Sequence, residues 1–244
     1  ALYSPKGGVG CSTLAINLAI ALQKGASLKV GLIDASLQFG DIAVLLNVQA
    51  PRTIADLAEI DDLETDLIDT VMVAHKSGVK ALLAPPTPEM SELVTESVVS
   101  QILEKARTMF DVIIVDMYSS LENTVLSILD EADSIILITT PEIPSIKSAR
   151  LFFEVTEALG YPPSKTQLIL NKASRNTGIR AIDIENSIKH KVVAQLPLED
   201  KVVTTAVNQG VPYILSGGNN PLTQATVSFA QYIHKTVIKT PQAN

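Results

Sequence analysis

Cysteine is almost missing from this 244-residue chain, in which Cys11 is the only one. A single thiol excludes an internal disulfide and any all-cysteine metal site within one chain, and it fits a reducing compartment, which points to the cytoplasm. Histidine is nearly as scarce. His75, His190 and His234 lie far apart with no paired ligand spacing, so they are expected on the surface and not on a metal. Positive charge is also short, with 19 Lys and Arg against 26 Asp and Glu and a formal net charge of -7. That balance argues against non-specific DNA or anionic-membrane binding as the main activity, since both need a positive surface. The densest basic region, Arg175, Arg180, Lys189, His190 and Lys191, reads as a solvated helix face, and nucleic acid is not an expected partner. No apolar run approaches the ~20 residues needed to span a bilayer, and the start carries no charged-then-apolar leader. The last helical stretch has only Lys235 and Lys239 as basic residues, too few for a membrane-surface helix. Repeats and low-complexity segments are lacking too.

Apolar residues are plentiful, at 46%, enough for one large core, and a single α/β domain over residues 1–244 suffices. Near the start stands Tyr3-Ser4-Pro5-Lys6-Gly7-Gly8-Val9-Gly10-Cys11-Ser12-Thr13, a glycine-rich stretch running from a strand into a helix. Glycines let successive backbone N–H groups turn toward an anion, and the helix beginning near Ser12 adds its positive dipole end, so the stretch reads as a phosphate cradle. The common form G-x-x-x-x-G-K-[ST] has a lysine after the last glycine, and here that residue is Cys11. Only Ala1, Leu2 and Tyr3 precede Ser4, whereas such a loop normally follows a buried strand of ~5 to 6 residues. The chain is therefore expected to begin inside its first strand, with residues or a whole domain upstream.

The rest alternates between apolar runs and amphipathic stretches. Strands are expected at 29–34, 79–84, 110–116, 134–139, 167–170 and 192–196, and helices at 14–22 (ended by Gly25), 53–59, 63–74, 91–110 (capped by Ser91), 121–132, 145–159 and 222–238. Residues 38–51 read as a loop with a short helix, and 240–244 as a frayed end. Alternation of this kind predicts a mostly parallel, doubly wound sheet covered by helices on both faces. Two strands end in carboxylates, Asp34 and Asp116. In open α/β sheets that edge carries the ligand, so Asp34 should face the phosphates, while Phe110-Asp111-Val112-Ile113-Ile114-Val115-Asp116 looks like a Walker B strand whose last carboxylate holds magnesium through water.

With Lys6 ahead of the glycines, the order K-G-G-x-G-x-[ST]-T resembles the deviant phosphate loop of the ParA/MinD family of ATPases. The resemblance implies a P-loop NTPase fold with ATP and Mg2+ as cofactors and a homodimer formed through bound ATP. Lys6 then acts on the phosphates held by the partner subunit, and Gly7, Gly8, Val9, Gly10 and Cys11 form the cradle. Ser12 falls on the magnesium-ligand position with Asp34 and Asp116, and Thr13 on a hydroxyl that contacts the inner phosphates. The family's adenine pocket maps to Asn171, with Lys172 beside it, and to the run containing Pro197, Leu198 and Asp200. The likeness extends over the whole chain and is nearest the CpaE/TadZ group of pilus-assembly localisation proteins. It is carried by L-Q-F-G-D-I-A-V-L-L from Leu37, H-K-S-G-V-K-A-L-L-A-P-P from His75, T-T-P-E-I-P-S-I-K-S-A-R from Thr139 and P-L-E-D-K-V-V-T-T-A-V-N-Q-G-V-P from Pro197. The group's role implies partners among pilus or secretion-system assembly proteins, recruitment to a cell pole, and often a receiver-like domain upstream. Iron-sulfur reductases and cluster carriers of the same family need further cysteines.

Two departures bear on catalysis. The loop lysine is Cys11, and the family's D-x-D is Asp34-Ala35-Ser36, which puts Ser36 where a carboxylate positions the attacking water. Losing one charge-assisted phosphate contact costs about 1.5–3 kcal/mol, which the loop amides, magnesium and Lys6 can absorb. Losing a water-positioning group costs ~10²–10⁴ in rate, so hydrolysis is expected to be slow unless Gln38 or Asp41 substitutes. Two readings stand: a nucleotide-dependent dimerising scaffold, and a working ATPase that drives positioning or partitioning, of DNA among other cargoes.

Overall fold

The computed structural model describes residues 1–58, 60, 62–217 and 220–238. In chain order its elements are β1 (Leu2–Tyr3), α1 (Cys11–Ala26), β2 (Val30–Ala35), α2 (Ile42–Leu46), α3 (Thr65–Val71), β3 (Val73–Ala74), β4 (Lys80–Leu82) and α4 (Glu96–Met109). They continue with β5 (Val112–Met117), α5 (Asn123–Glu131), β6 (Ile135–Thr139), α6 (Ile143–Ala158), β7 (Thr166–Ala173), α7 (Ala181–Ile188), β8 (Val192–Pro197), α8 (Asp200–Gln209) and α9 (Pro221–Ile233). The strands form one sheet in the order β3-β4-β2-β5-β1-β6-β7-β8, parallel throughout except for the β3–β4 pair at one edge.

Side-chain alternation along each strand assigns the two layers. On β2, Ile33 and Ala35 join the core under α4 to α7, whereas Val30 and Leu32 join the core under α1, α8 and α9. On β6, Ile135 and Leu137 face the first layer and Ile136 and Ile138 the second. Both faces are buried, which is why these strands read as continuous apolar runs. α1 packs across the middle of the sheet with nine consecutive buried residues from Leu14 to Leu22, Asn17 the polar one. Asn17 is satisfied: its amide donates to Thr13 O at 2.7 Å, and its oxygen accepts from Ile214 N at 3.0 Å, tying the segment before α9 to the loop helix.

Several sequence expectations are corrected. Gly25 lies inside α1, and the helix stops at Ser27, whose φ of 53° closes it. The 53–59 stretch is a 3-10 turn, Ile54–Leu57, where Thr53 N donates to Asp56 at 2.7 Å; Glu59 lies outside the described residues. The 63–74 helix ends at Val71, because Val73 and Ala74 pair antiparallel with β4. Ser91 caps nothing: Pro88 starts a 3-10 turn through Leu93, and Thr95 caps α4 by accepting from Val98 N at 3.4 Å. β7 runs through Asn171 and Lys172 to Ala173 rather than stopping at Leu170. The last helix ends at Ile233 and continues as a wider π-type turn, His234–Ile238; residues 239–244, including Lys239, lie outside the described residues. His75 is buried, not exposed, with Nδ1 2.8 Å from Ser77 Oγ in the turn before β4. No helix among the described residues is long and apolar enough to cross a membrane.

Candidate nucleotide site

The glycine-rich stretch leaves β1 in the middle of the sheet, between β5 and β6, and enters α1. Gly10 precedes the helix at φ 99°, a conformation open to glycine, and a Cβ there would come 2.7 Å from Asn171 Nδ2. Two side chains from the end of β7 grip the loop: Asn171 Nδ2 donates to Val9 O at 2.7 Å and Lys172 Nζ to Gly8 O at 2.8 Å. Because each trans peptide sets its N–H opposite its C=O, fixing these carbonyls toward β7 turns the N–H groups of Val9 and Gly10 away from it. A turn spans Gly7 and Gly8, and the backbone N–H groups of Gly7, Gly8 and residues 10–13 meet no hydrogen-bond acceptor elsewhere in the described chain. A run of free donors at a helix N-terminus is an anion site. Lys6 is half-buried on this loop, and its backbone N–H donates to Ser4 Oγ at 3.2 Å.

Strand register brings the two carboxylates together. Asp34 on β2 pairs with Asp116 on β5, and both share the parity of the residues that face α1. They are 1% and 0% exposed, so neither is solvated. Asp34 is held by the chain that follows it: Oδ1 accepts from Ser36 N at 3.1 Å and Oδ2 from Ile42 N at 3.2 Å. That embrace requires Gly40, where a Cβ would stand 2.4 Å from both Asp34 Oδ2 and Ala84 Cβ. Burial, and then the neighbouring Asp116, push the Asp34 carboxyl up to about 8, against the pull of those two N–H groups. Neither oxygen of Asp116 has a hydrogen-bond partner in the described chain. Burial pushes it up to about 7; the nearby Ser12 hydroxyl moderates the rise without completing a hydrogen bond. Cys11 lies in the same neighbourhood, and burial, then the Asp116 charge, raise its thiol well above the ordinary range. The thiol therefore stays neutral and adds no charge to the loop.

Beside the loop, a cavity of about 60 Å³ is bounded by Gly10, Thr13, Asn171, Lys172, Leu198 and Asp200, with Tyr213 and Leu222 behind them. The sequence expectation thus meets one cavity at all its named points but Pro197, which pairs with Ala173 in the β7–β8 ladder. Tyr213 and Leu222 were missed; Tyr213 OH lies 2.8 Å from Thr226 Oγ1 and closes the floor. The isolated Asn17 on an apolar helix marks the neighbouring junction, where its oxygen accepts from Ile214 N at 3.0 Å. Ser36, Gln38 and Phe39 line a separate cleft of about 320 Å³ with Tyr118 and Glu122. Asp41 is exposed at the start of α2, and its charge raises both buried carboxylates slightly. In the basic region, Arg180 pairs with Asp183 and Lys191 with Glu185, and the His190 ring stacks on Phe153 at 3.6 Å.

A phosphate cradle between the central strand and its helix, flanked by a strand-end carboxylate and an apolar side cavity, defines a nucleotide-binding P-loop protein of the α/β class. The chain belongs to the ParA family: a family model described as "NUBPL iron-transfer P-loop NTPase" matches residues 1–163. It is 31% identical over 233 residues to an uncharacterized ATP-binding protein of Methanocaldococcus jannaschii, covering 95% of this chain and 86% of that one. It is 26% identical over 223 residues to the septum site-determining protein MinD of Thermotoga maritima, covering 88% and 80%. The fold superimposes on the crystal structure of a ParA family ATPase from Chlorobium tepidum with a TM-score of 0.88 and 26% identity, over 94% of this chain and 96% of that one.

Proposed function

We propose that this protein is a magnesium- and ATP-binding switch of the ParA/MinD type whose ATP-dependent homodimer positions or helps assemble a Tad (Flp) type IV pilus secretion system, with slow hydrolysis. The observation that carries the nucleotide reading is the meeting of free loop donors with the partnerless oxygens of Asp116 at one sheet edge. Buried polar atoms without partners ordinarily mark a missing ligand, and two carboxylate oxygens beside a hydroxyl are hard donors of the kind magnesium takes. Ser12 and Asp116 would hold the ion, Asp116 through water. Magnesium, when bound, neutralises charge on the outer phosphates. The loop N–H groups bind the phosphates, and the Asn171 oxygen, left free by the Nδ2–Val9 bond, can accept from a base amino group. Lys6 reaches across to the partner's nucleotide. Asp34 contributes by holding residues 36–42 in place, since both its oxygens are engaged there.

Slow hydrolysis rests on the neutral thiol at Cys11 and on Ser36, whose short hydroxyl supplies no carboxylate to align water. Support for the pilus assignment comes from the sequence stretches resembling the CpaE/TadZ group. The test is phosphate release with magnesium and ATP, with dimerisation followed by light scattering, for the parent and for Cys11→Lys/Ser36→Asp and Lys6→Ala. A parent that dimerises with ATP but turns it over only after Cys11→Lys/Ser36→Asp supports the scaffold. Brisk parental turnover that Lys6→Ala abolishes would overturn the slow-hydrolysis reading and favour an active positioning ATPase.

A further inference from the structure

Positive charge is unevenly placed along this chain. No Lys or Arg occurs in residues 30–51, 81–104 or 111–146, the stretches that carry β2, β4 and β5 into the loops that follow them. Those three loops meet at the cleft of about 320 Å³, whose walls come from residues 36–39, 91–95 and 118–124. No cation lines it. Glu92 and Glu122 stand exposed on two of the walls, and neither forms an ion pair among the described residues. Glu122 accepts only from a neutral group, Tyr118 OH at 2.9 Å.

Each wall also carries an apolar side chain into solvent. Phe39 is 76% exposed, and Leu93 and Leu121 are 44% and 40% exposed. Burying such groups is favourable, and apolar side chains gathered at a polar-rimmed cleft mark a contact surface. The walls are ordered before anything binds. Phe39 N donates to Ser36 O at 3.2 Å, and Ser36 N and Ile42 N are both held by Asp34. Across the cleft, Val94 N donates to Ser91 O at 3.1 Å and Ser91 Oγ to Pro88 O at 2.6 Å. A surface already ordered loses little entropy on binding.

Charge decides among the occupants. Anionic lipid and nucleic acid are repelled by a surface that holds carboxylates and no cation. A second copy related by a two-fold axis would set this acidic face against itself. We propose that the cleft docks a partner protein through a basic segment that also carries an apolar side chain, its cations on Glu92 and Glu122 and its apolar group against Phe39 and Tyr118. Arginine suits the cationic positions best, because a guanidinium pairs with a carboxylate and stacks on a ring at once. Leu37 and Val94 place the cleft on the α4 side of the sheet, whereas the phosphate loop enters α1 on the other, so binding is read without nucleotide.

The experiment is fluorescence anisotropy with a short labelled peptide of arginine, lysine, leucine and phenylalanine, beside an all-basic peptide that lacks the apolar residues. The parent is expected to bind the first roughly tenfold more tightly than the second. Phe39→Ser should weaken binding of the first roughly tenfold, and Glu92→Lys/Glu122→Lys roughly ten- to hundredfold. Glu92→Gln/Glu122→Gln should fall between that pair and the parent, and it keeps the test open if the lysine pair does not fold. Glu104→Lys/Glu157→Lys, with the same change in net charge on exposed helix positions elsewhere, should stay within about threefold of the parent. A parent that binds neither peptide, equal affinity for the two, an unaffected Phe39→Ser, or a Glu104→Lys/Glu157→Lys loss as large as that of the cleft pair would each overturn the assignment. Phe39→Ser that abolishes ATP-dependent dimerisation in light scattering, or flotation with phosphatidylserine vesicles, while leaving peptide binding unchanged would give the cleft to a second copy or to a membrane instead.

Discussion

Asp116→Asn tests the site through stability instead of turnover. The Asp116 carboxyl sits at about 7 against an ordinary 3.8, with burial as the main cause and no hydrogen bond to either oxygen. A folded-state value above the unfolded one means that the contribution of Asp116 to stability is greatest below about pH 3.8. It declines as the pH rises and levels off above about pH 7. Three units at about 1.4 kcal/mol each make ionisation cost about 4 kcal/mol above neutrality. Asparagine has the same shape and no charge, but its amide meets the same partnerless surroundings, which costs back about 1–3 kcal/mol. In metal-free buffer, urea unfolding should therefore find the variant more stable than the parent by about 1–3 kcal/mol at about pH 8. That difference should shrink by about 2 kcal/mol or more on going to about pH 5, where the unfolded carboxylate has lost most of its advantage. Magnesium and ATP should stabilise the parent more than the variant. A variant that is less stable at both pH values, or whose difference from the parent ignores pH, would falsify the claim that Asp116 is an unpartnered buried acid.

Three further outcomes are expected. Gly40→Ala forces a Cβ to within 2.4 Å of Asp34 Oδ2 and Ala84 Cβ, so it should cost about 1–3 kcal/mol and expose residues 36–42 to limited proteolysis; parental resistance would contradict the packing. Gly10→Ala combines φ 99° with a contact 2.7 Å from Asn171 Nδ2, so urea unfolding should show a loss of about 2–4 kcal/mol together with weakened ATP binding, and an unchanged midpoint would be evidence against the clamp. The stacked His190 is lowered from 6.5 by burial against Phe153, so the folded state resists its protonation and stability falls as the pH drops below about 6.5. His190→Phe keeps the stack without the titration, and its advantage in melting temperature should widen between about pH 7 and 5; a constant gap would refute the effect.

What the sequence disclosed was local in origin. The spacing of Gly7, Gly8 and Gly10 marks a phosphate loop because a backbone that must turn its amides inward needs those residues within a few positions of each other. Asp34 and Asp116 stood out because a carboxylate ending a doubly buried apolar run is costly without a purpose. What stayed hidden depends on partners far along the chain. Asn171 and Lys172 grip the loop across separations of 162 and 164 residues, and the irregularity in β7 that aims Lys172 leaves no composition signal. β3 was absorbed into a helix because two residues carry no periodicity, and only the neighbouring β4 makes them a strand. Ser91 and Thr95 are both acceptable caps by residue type; Pro88, three residues ahead of Ser91, starts a 3-10 turn that consumes the first and leaves the second for α4.

Register also explains why this fold tolerates so expensive a pair of acids. Parallel pairing places Asp34 directly beside Asp116, and the common parity of the two strands turns both toward α1, where the loop enters. A lysine at position 11 would offset that charge permanently, whereas the neutral thiol of Cys11 leaves it uncompensated. Asp34 escapes part of the cost through Ser36 N and Ile42 N, and in doing so ties residues 36–42 to the sheet edge. Asp116 has no such relief, so the most favourable state of this edge is one in which a bound cation supplies it. Ligand binding to the folded chain then adds stability of RT ln(1 + [L]/Kd), with relief of the penalty built into the sheet already contained in Kd. Occupancy of this edge is thereby coupled to the stability of the whole sheet, because the strands that carry the two acids pair with each other and β5 pairs with β1, the strand that leads into the loop.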